Sequence, residues 1–178
     1  MKFTFILTGL ALAFTLTGLA AQTKSDDLIL EMNRAYKARD TRKLATLLPQ
    51  TRGHALEPWA AYWEIKARLD TATDAQVQDF FARYPGTYQE DRLRNDWLLL
   101  LGQRRDWTTF AAEYPKFRMN DDREVRCYAL LVEHVKGVVS PSAADEVRRL
   151  WFSLRDADDG CTSAASRFVG SKEAPRLA

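Results

Sequence analysis

A motif that recurs after about thirty residues most constrains how this chain can fold. Phe80 to Pro85 resembles Phe110 to Pro115, since each segment has Phe first and then Tyr-Pro at the same offset. Further along, Glu90–Arg92 matches Asp121–Arg123 after a one-residue insertion. A repeat of this length with two helices per unit is typical of an α-solenoid. The alternative is an ordinary helical bundle with coincidental Tyr-Pro stops.

Helix-capping residues and prolines divide the chain into a series of helices. Thr73 with Gln76, and Thr87 with Glu90, have the spacing of a capping box, and Pro58 suits the first turn of a helix. We find no alternating apolar pattern of useful length, so no strand is expected. The predicted fold class is therefore all-α, a helix–turn–helix repeat superhelix. Further helix starts are expected at Ser25–Asp27, Asp40, Asp106, Asp121–Asp122 and Ser140–Pro141.

The first residues have the three parts of a secretory signal peptide. Lys2 supplies a positive charge, Phe3 to Leu19 is almost wholly apolar, and Leu19-Ala20-Ala21 offers small residues for cleavage. The alternative is an uncleaved membrane anchor, but the apolar stretch is short and no basic cluster follows it. We predict that residues 1–21 are removed on export and that no stable membrane anchor remains.

Charge and cysteine content limit the classes of function. The formal net charge of the whole chain is only +2, which gives no electrostatic reason to expect nucleic-acid binding. Cys127 and Cys161 are expected to form a disulfide in an exported protein, the alternative being two separate buried thiols. No metal site is expected, because only His54 and His134 could join them and neither has a ligand spacing.

The helical domain is predicted to cover residues 22–161. After Cys161 the chain is rich in Ser, Ala and Gly, and only Phe168 and Val169 offer apolar bulk. Weak order is therefore expected for a tail of residues 162–178.

No complete catalytic or cofactor motif is present, so no catalytic residue and no cofactor are predicted. The candidates for ligand contact are Tyr88, Arg92 and Arg94, although a solvated, ion-paired helix face is the simpler reading of the two arginines. Tryptophans and tyrosines at helical spacing are more often core than sugar-stacking platforms. The carboxylates are expected to cap helices or pair with arginines: Glu57, Glu64, Glu90, Asp91, Asp96, Asp121 and Asp122.

Several segments resemble the superhelical part of soluble lytic murein transglycosylases. Leu56–Trp63 is similar to the early helices of that family, and Phe81–Tyr88 is similar to the segment that follows. The resemblance covers most of Leu56 to Cys161. It implies a periplasmic protein with an N-terminal superhelix of paired helices. It also implies a lysozyme-like domain at the end of a longer chain, which cleaves peptidoglycan glycan strands between N-acetylmuramic acid and N-acetylglucosamine. Further matching segments are Asp91–Arg94, Trp97–Leu98, Asp106–Trp107, Phe117–Ala129 and Leu150–Trp151 followed by Cys161.

The family's catalytic motifs, Glu-Ser and a Gly-Leu-Met-Gln-like sequence, do not occur in this chain. We therefore expect a non-catalytic superhelical fragment, from a truncated or frameshifted reading frame, whose partners are glycan strands and the missing catalytic domain. The alternative is a free-standing periplasmic adapter that binds a protein or peptide in a solenoid groove. A small enzyme that uses an unrecognised carboxylate is a third hypothesis.

Overall fold

A computed structural model describes residues 25–138, 141–153 and 155–168. Within these ranges the chain forms helices and no strand. None of the described helices has the length and apolar character needed to cross a membrane. The predicted signal peptide, residues 1–21, lies outside the described residues.

Nine α-helices and two short 3-10 helices are present in the described part of the chain. The α-helices are α1 (25–37), α2 (Thr41–Leu47), α3 (Glu57–Lys66), α4 (Asp74–Arg83), α5 (Tyr88–Arg104), α6 (Trp107–Glu113), α7 (Arg123–Val135), α8 (Ala143–Phe152) and α9 (Asp159–Phe168). The 3-10 helices are Leu48–Thr51 and Tyr114–Lys116. The chain divides into two compact units, the first ending at Pro85 and the second beginning at Gly86.

Five of the predicted helix caps are confirmed, whereas α8, expected to start at Ser140–Pro141, begins at Ala143 without a side-chain cap. Thr73 and Gln76 form a complete capping box at the start of α4. Backbone N–H groups at helix starts have no partner within the helix, so these side chains stabilise the first turn. Asp40, Thr87, Asp106 and Asp122 likewise accept a backbone N–H three residues later.

The first unit has its core where α1, α2 and α3 meet. Met32, Leu44 and Ala60 are fully buried there, and Ile29 and Ala35 are nearly so. Because Met32, Ala35 and Ile29 are three residues apart, they lie on one face of α1. Partly buried side chains surround this cluster: Tyr36, Leu47, Leu48, Trp63 and Ala67.

The second unit is organised around Tyr128 on α7, which is fully buried. Its ring lies 6.2 Å from the ring of Phe110 and 6.1 Å from that of Trp107, measured between centroids. On α5, a Cβ atom at Gly102 would come within 2.3 Å of Cδ2 of Tyr128. Glycine is therefore required at position 102 for α5 and α7 to approach this closely.

The sequence repeat has a local counterpart in the structure. Phe80 contacts Tyr84 with ring centroids 4.9 Å apart, and Phe110 contacts Tyr114 at 5.8 Å. Both are pairs four residues apart, which lie side by side on a helix, and each precedes a proline that ends the α-helix. The repeated Phe and Tyr therefore pack together at the end of an α-helix in each unit, although a 3-10 helix follows only the second of the two, α6.

The end of the described chain differs from the prediction. Weak order was expected from residue 162 onward, but α9 continues to Phe168 and packs against α7 and α8. Ala164 and Ala165 are buried in this contact, because small side chains let helices approach closely. A composition that suggested a loop thus forms a close-packing helix face. Residues 169–178 lie outside the described residues.

The predicted disulfide between Cys127 and Cys161 is present. It joins α7 to α9, and both cysteines are fully buried. The helical domain therefore includes α9 and extends beyond Cys161.

Candidate functional site

The three predicted ligand-contact residues all lie in the first two turns of α5, but the structure places them differently. Tyr88 is 54% exposed and Arg92 is partly buried, whereas Arg94 is only 4% exposed. Tyr88 and Arg92 are four residues apart and so share one face of the helix. Arg94 lies on the inner face, so its guanidinium has a structural role and does not offer a surface contact.

Arg94 is surrounded by carboxylates. Its Nη1 donates to Oε1 of Glu90 at 2.7 Å, and its Nε donates to Oε2 of Glu113 on α6 at 3.5 Å. Asp91 lies 3.9 Å away. A buried charge is tolerated only when it is paired and hydrogen-bonded, and Arg94 meets that condition through α5 and α6 together.

Two exposed cations complete this cluster. Lys116 donates to Oε1 of Glu113 at 2.7 Å, and Arg118 lies 3.3 Å from Oε2 of Glu90. Asp91 accepts the backbone N–H groups of Arg118 and Met119 at 2.9 and 2.7 Å, which fixes the segment after α6. The three carboxylates are thus matched by three cations, and the cluster joins α5, α6 and the following loop.

The environment of Glu90 settles its protonation state. Burial alone would raise its pKa, but hydrogen bonds from Arg94 and from the backbone N–H of Gly86, with the charges of Arg94 and Arg118, outweigh burial and lower the pKa. A carboxyl group with a lowered pKa stays ionised at neutral pH. Glu90 is therefore a stabilising anion and is unsuited to donate a proton.

The only two carboxyl groups among the described residues with a resolved upward pKa shift lie where α9 begins beside α7. Burial raises the pKa of Glu124, which accepts hydrogen bonds from the Tyr128 hydroxyl at 3.2 Å and the Gly160 N–H at 3.3 Å. Burial also raises the pKa of Asp158, which accepts the N–H of Cys161 at 2.7 Å. Glu124 thus holds α9 against α7, and Asp158 caps the first turn of α9. Both raised pKa values follow from burial where these helices pack.

The raised pKa of Glu124 predicts a pH-dependent effect of Glu124→Gln. A carboxyl whose pKa is raised in the folded state stabilises the fold in its protonated form. This contribution is complete below the ordinary pKa of 4.5 and is lost as the pH rises through the raised pKa of the folded state. Glutamine keeps both accepted hydrogen bonds without the charge. We expect the variant to be more stable than the wild type at pH 7, with the difference shrinking toward pH 4, in urea unfolding at each pH.

The matched control is Glu133→Gln, which removes the same charge from an exposed position of the same helix. A stability difference for Glu124→Gln that grows as the pH falls, or that Glu133→Gln reproduces, would contradict the assignment.

A cleft of about 320 Å³ lies between α3 and α4. Its carboxylates are paired: Arg68 donates to both oxygens of Glu64 at 2.6 and 3.2 Å, and Arg83 lies 3.0 Å from Asp79. The cleft therefore has polar walls and lacks the isolated, desolvated carboxyl group that glycosidic cleavage requires.

His54 has a structural role. Its Nδ1 accepts the backbone N–H of Leu56 at 3.0 Å, so its Nε2 carries the proton and donates to Asp26 at 2.9 Å. With both ring nitrogens engaged, the imidazole joins α1 to the turn before α3. Within the described residues, no group of three or more acidic, histidine or cysteine side chains is placed to hold a metal ion.

Sequence reasoning missed two charged groups that the structure brings into contact. Glu113 lies 19 residues from its partner Arg94, and Asp159 lies 54 residues from its partner Arg105. No local pattern marks either residue, because each pair depends on how separate helices pack. The expected roles of Glu57, Glu64, Glu90, Asp91 and Asp122 as capping or paired carboxylates are confirmed.

Comparison with solved structures identifies a matching fold. The chain superimposes on the 70-kDa soluble lytic transglycosylase in complex with bulgecin A, with a TM-score of 0.63, 19% identity and 84% of this chain covered. It matches the structure of the same 70-kDa enzyme from Escherichia coli, Slt70, with a TM-score of 0.63, 18% identity and 85% of this chain covered. The match spans only 24% of the enzyme's chain.

No protein-family model and no curated protein sequence matches this chain. At such low identity the structural comparison establishes the fold: the predicted all-α superhelical class is confirmed, and it is the fold found in part of a soluble lytic transglycosylase.

Proposed function

We propose that this chain is a non-catalytic superhelical part of a periplasmic lytic murein transglycosylase. Its role is to hold a lysozyme-like domain that cleaves the glycan strands of peptidoglycan. The observation that carries the proposal is the shared fold over 84% of this chain, against a quarter of the length of a known soluble lytic transglycosylase. Fold alone does not imply function, so the proposal needs further support from the residues.

Two further observations support the proposal. The segments that resemble the family lie between Leu56 and Cys161, and the fold match covers 84% of the chain, so the two overlap over most of that region. The carboxylates with described partners cap helices, pair with arginines or hold helices together, which is what a scaffold without chemistry of its own requires. A free-standing adapter would resemble the transglycosylase family between Leu56 and Cys161 only by coincidence. The adapter is therefore the less favoured function.

The proposal is tested by reading the DNA beyond the codon for Ala178 in all three frames. We expect one frame to continue the helical pattern and then to encode Glu-Ser and Gly-Leu-Met-Gln-like motifs. The absence of both motifs in every frame would contradict the proposal and would favour the adapter.

A digestion of purified peptidoglycan provides the second arm of this test. The chain from residue 22 to 178 is expected to release no anhydro-muropeptides, while the 70-kDa enzyme from Escherichia coli serves as the positive control. Release by clean protein would overturn the non-catalytic assignment.

A further inference from the structure

Two helix ends in this chain have the same Arg-Asp corner. Arg39 follows α1 and Arg105 follows α5, with backbone φ angles of 56° and 60°. In each corner the next residue, Asp40 or Asp106, caps the following helix. The left-handed backbone conformation is unfavourable for residues other than glycine, which is the usual choice at this position. An arginine in both corners suggests that the side chain is used.

The use of Arg105 is visible in the structure. Its guanidinium makes two hydrogen bonds to the carboxylate of Asp159, at 2.7 and 3.0 Å. It also lies 5.7 Å from the ring centroids of both Trp107 and Tyr128. The corner therefore binds a planar carboxylate in a bidentate arrangement beside aromatic rings.

Arg39 has the same backbone setting but a different environment. It lines a cavity of about 450 Å³, together with Tyr36, Lys37, Lys66 and Ala67, and we call this cavity the basic groove. Among the described residues, neither Arg39 nor Lys37 forms an ion pair. The Arg105 corner in the second unit thus holds Asp159, whereas the Arg39 corner in the first unit faces an open, positively charged groove.

An aromatic side chain forms one wall of the basic groove. The rings of Tyr36 and Trp63 are stacked, with centroids 6.3 Å apart and planes at 21°, and Trp63 in turn contacts Trp59 at 6.0 Å. Tyr36, Trp63 and Ala67 all pack against the buried core of the first unit. The wall is therefore held in place before any ligand arrives, which lowers the entropic cost of binding.

We propose that the basic groove binds an acidic sugar, whose carboxylate pairs with Arg39 and whose ring lies along Tyr36. The cavity has the size of a small-ligand site, and the apolar face of a sugar ring packs well on an aromatic side chain. A carboxylate is the anion that the matching corner at Arg105 already holds. The C-terminal ends of α1 and α3 carry partial negative charge, which would repel a carboxylate. Lys37 and Lys66, the last residues of these helices, offset that charge.

The test is a titration of the full chain with glucuronate, followed by backbone amide NMR. We expect saturable shifts at residues 36–39 and 66–67, and binding at least about tenfold weaker for glucose, which has the same ring without the carboxylate. Acetate supplies the carboxylate without the ring and is also expected to bind at least about tenfold more weakly than glucuronate.

Arg39→Gly is the decisive variant, because it removes the guanidinium and relieves the left-handed backbone. Its melting temperature should equal or exceed that of the wild type, while its affinity for glucuronate falls at least about tenfold. Arg42→Gln, on the exposed surface of α2, is the matched control and should bind as the wild type does.

Three results would overturn the proposal: no saturable binding of glucuronate, equal binding of acetate and glucuronate, or unchanged affinity in Arg39→Gly. An absence of saturable glucuronate binding would mean that the basic side chains of the groove only offset the charge of the helix ends. Because no peptidoglycan is involved, these results are independent of the proposed function.

Discussion

Replacing Arg94 by Met is expected to lower the free energy of unfolding by about 3–5 kcal/mol. The side chains of Arg94, Asp91 and Glu113 are each less than 5% exposed. Methionine keeps much of the volume but leaves the three carboxylates with two cations, Lys116 and Arg118. One buried negative charge is then uncompensated, which is strongly destabilising. Urea unfolding at pH 7 measures the loss.

The matched control for this variant is Arg149→Met, at an exposed position on α8 of the same unit. It is expected to change stability by less than about 0.5 kcal/mol. Equal effects of the two substitutions would show that the buried cluster contributes little.

The loss in Arg94→Met should also depend on pH. In the wild type the pKa of Glu90 is lowered, so its stabilising contribution is present above its ordinary value of 4.5 and is lost as the pH falls. Without Arg94, Glu90 loses the partner that does most to lower its pKa, so this contribution is smaller in the variant. The stability difference between the variant and the wild type should therefore narrow in acid.

Removal of the disulfide is the second change with a large expected effect. The bridge closes a loop with a sequence separation of 34 residues, and loop-closure entropy then gives a stabilisation of about 4 kcal/mol. The double variant Cys127→Ala/Cys161→Ala should lose about this amount under oxidising conditions, as measured by urea unfolding. Both positions are fully buried, so a little of the loss reflects the missing sulfur atoms.

The control is the same comparison of the variant with the wild type in reducing buffer. Once the wild-type disulfide has been reduced through unfolding, the two proteins should differ by much less. An unchanged difference would mean that sulfur packing and not the covalent link stabilises α7 against α9. A stabilising disulfide also agrees with the proposed periplasmic location, since such bonds persist in oxidising compartments.

The candidate site shows where sequence reasoning stops. Arg92 and Arg94 are two positions apart and chemically identical, so their spacing cannot tell which one turns inward. The decision depends on α6, which brings Glu113 to one side of α5. Arg105 is similar: nothing in its local sequence marks a partner, but α9 carries Asp159 onto it.

Apart from α9, the described helices follow from local signals, and the sequence alone was enough to predict them. A side chain three residues from a backbone N–H caps it wherever the helix lies, so Thr73, Asp106 and Asp122 mark helix starts without knowledge of the fold. Proline lacks an N–H and so ends or opens a helix by itself. The Cys127–Cys161 pair was predictable because the chain has only two cysteines.

Only the tertiary structure decided which polar groups are buried and that α9 is a packed helix. Alanine and glycine carry little apolar area, so they stabilise the fold mainly by letting two helices approach closely. Gly102 beside Tyr128 and Ala164 in α9 are examples. The stabilisation from such close packing depends on which helix lies opposite, and a local sequence pattern does not show this. Capping acts over three residues of one chain segment, whereas the ion pairs of Arg94 with Glu113 and of Arg105 with Asp159 join residues 19 and 54 positions apart. This difference in range separates what the sequence determined from what the fold decided.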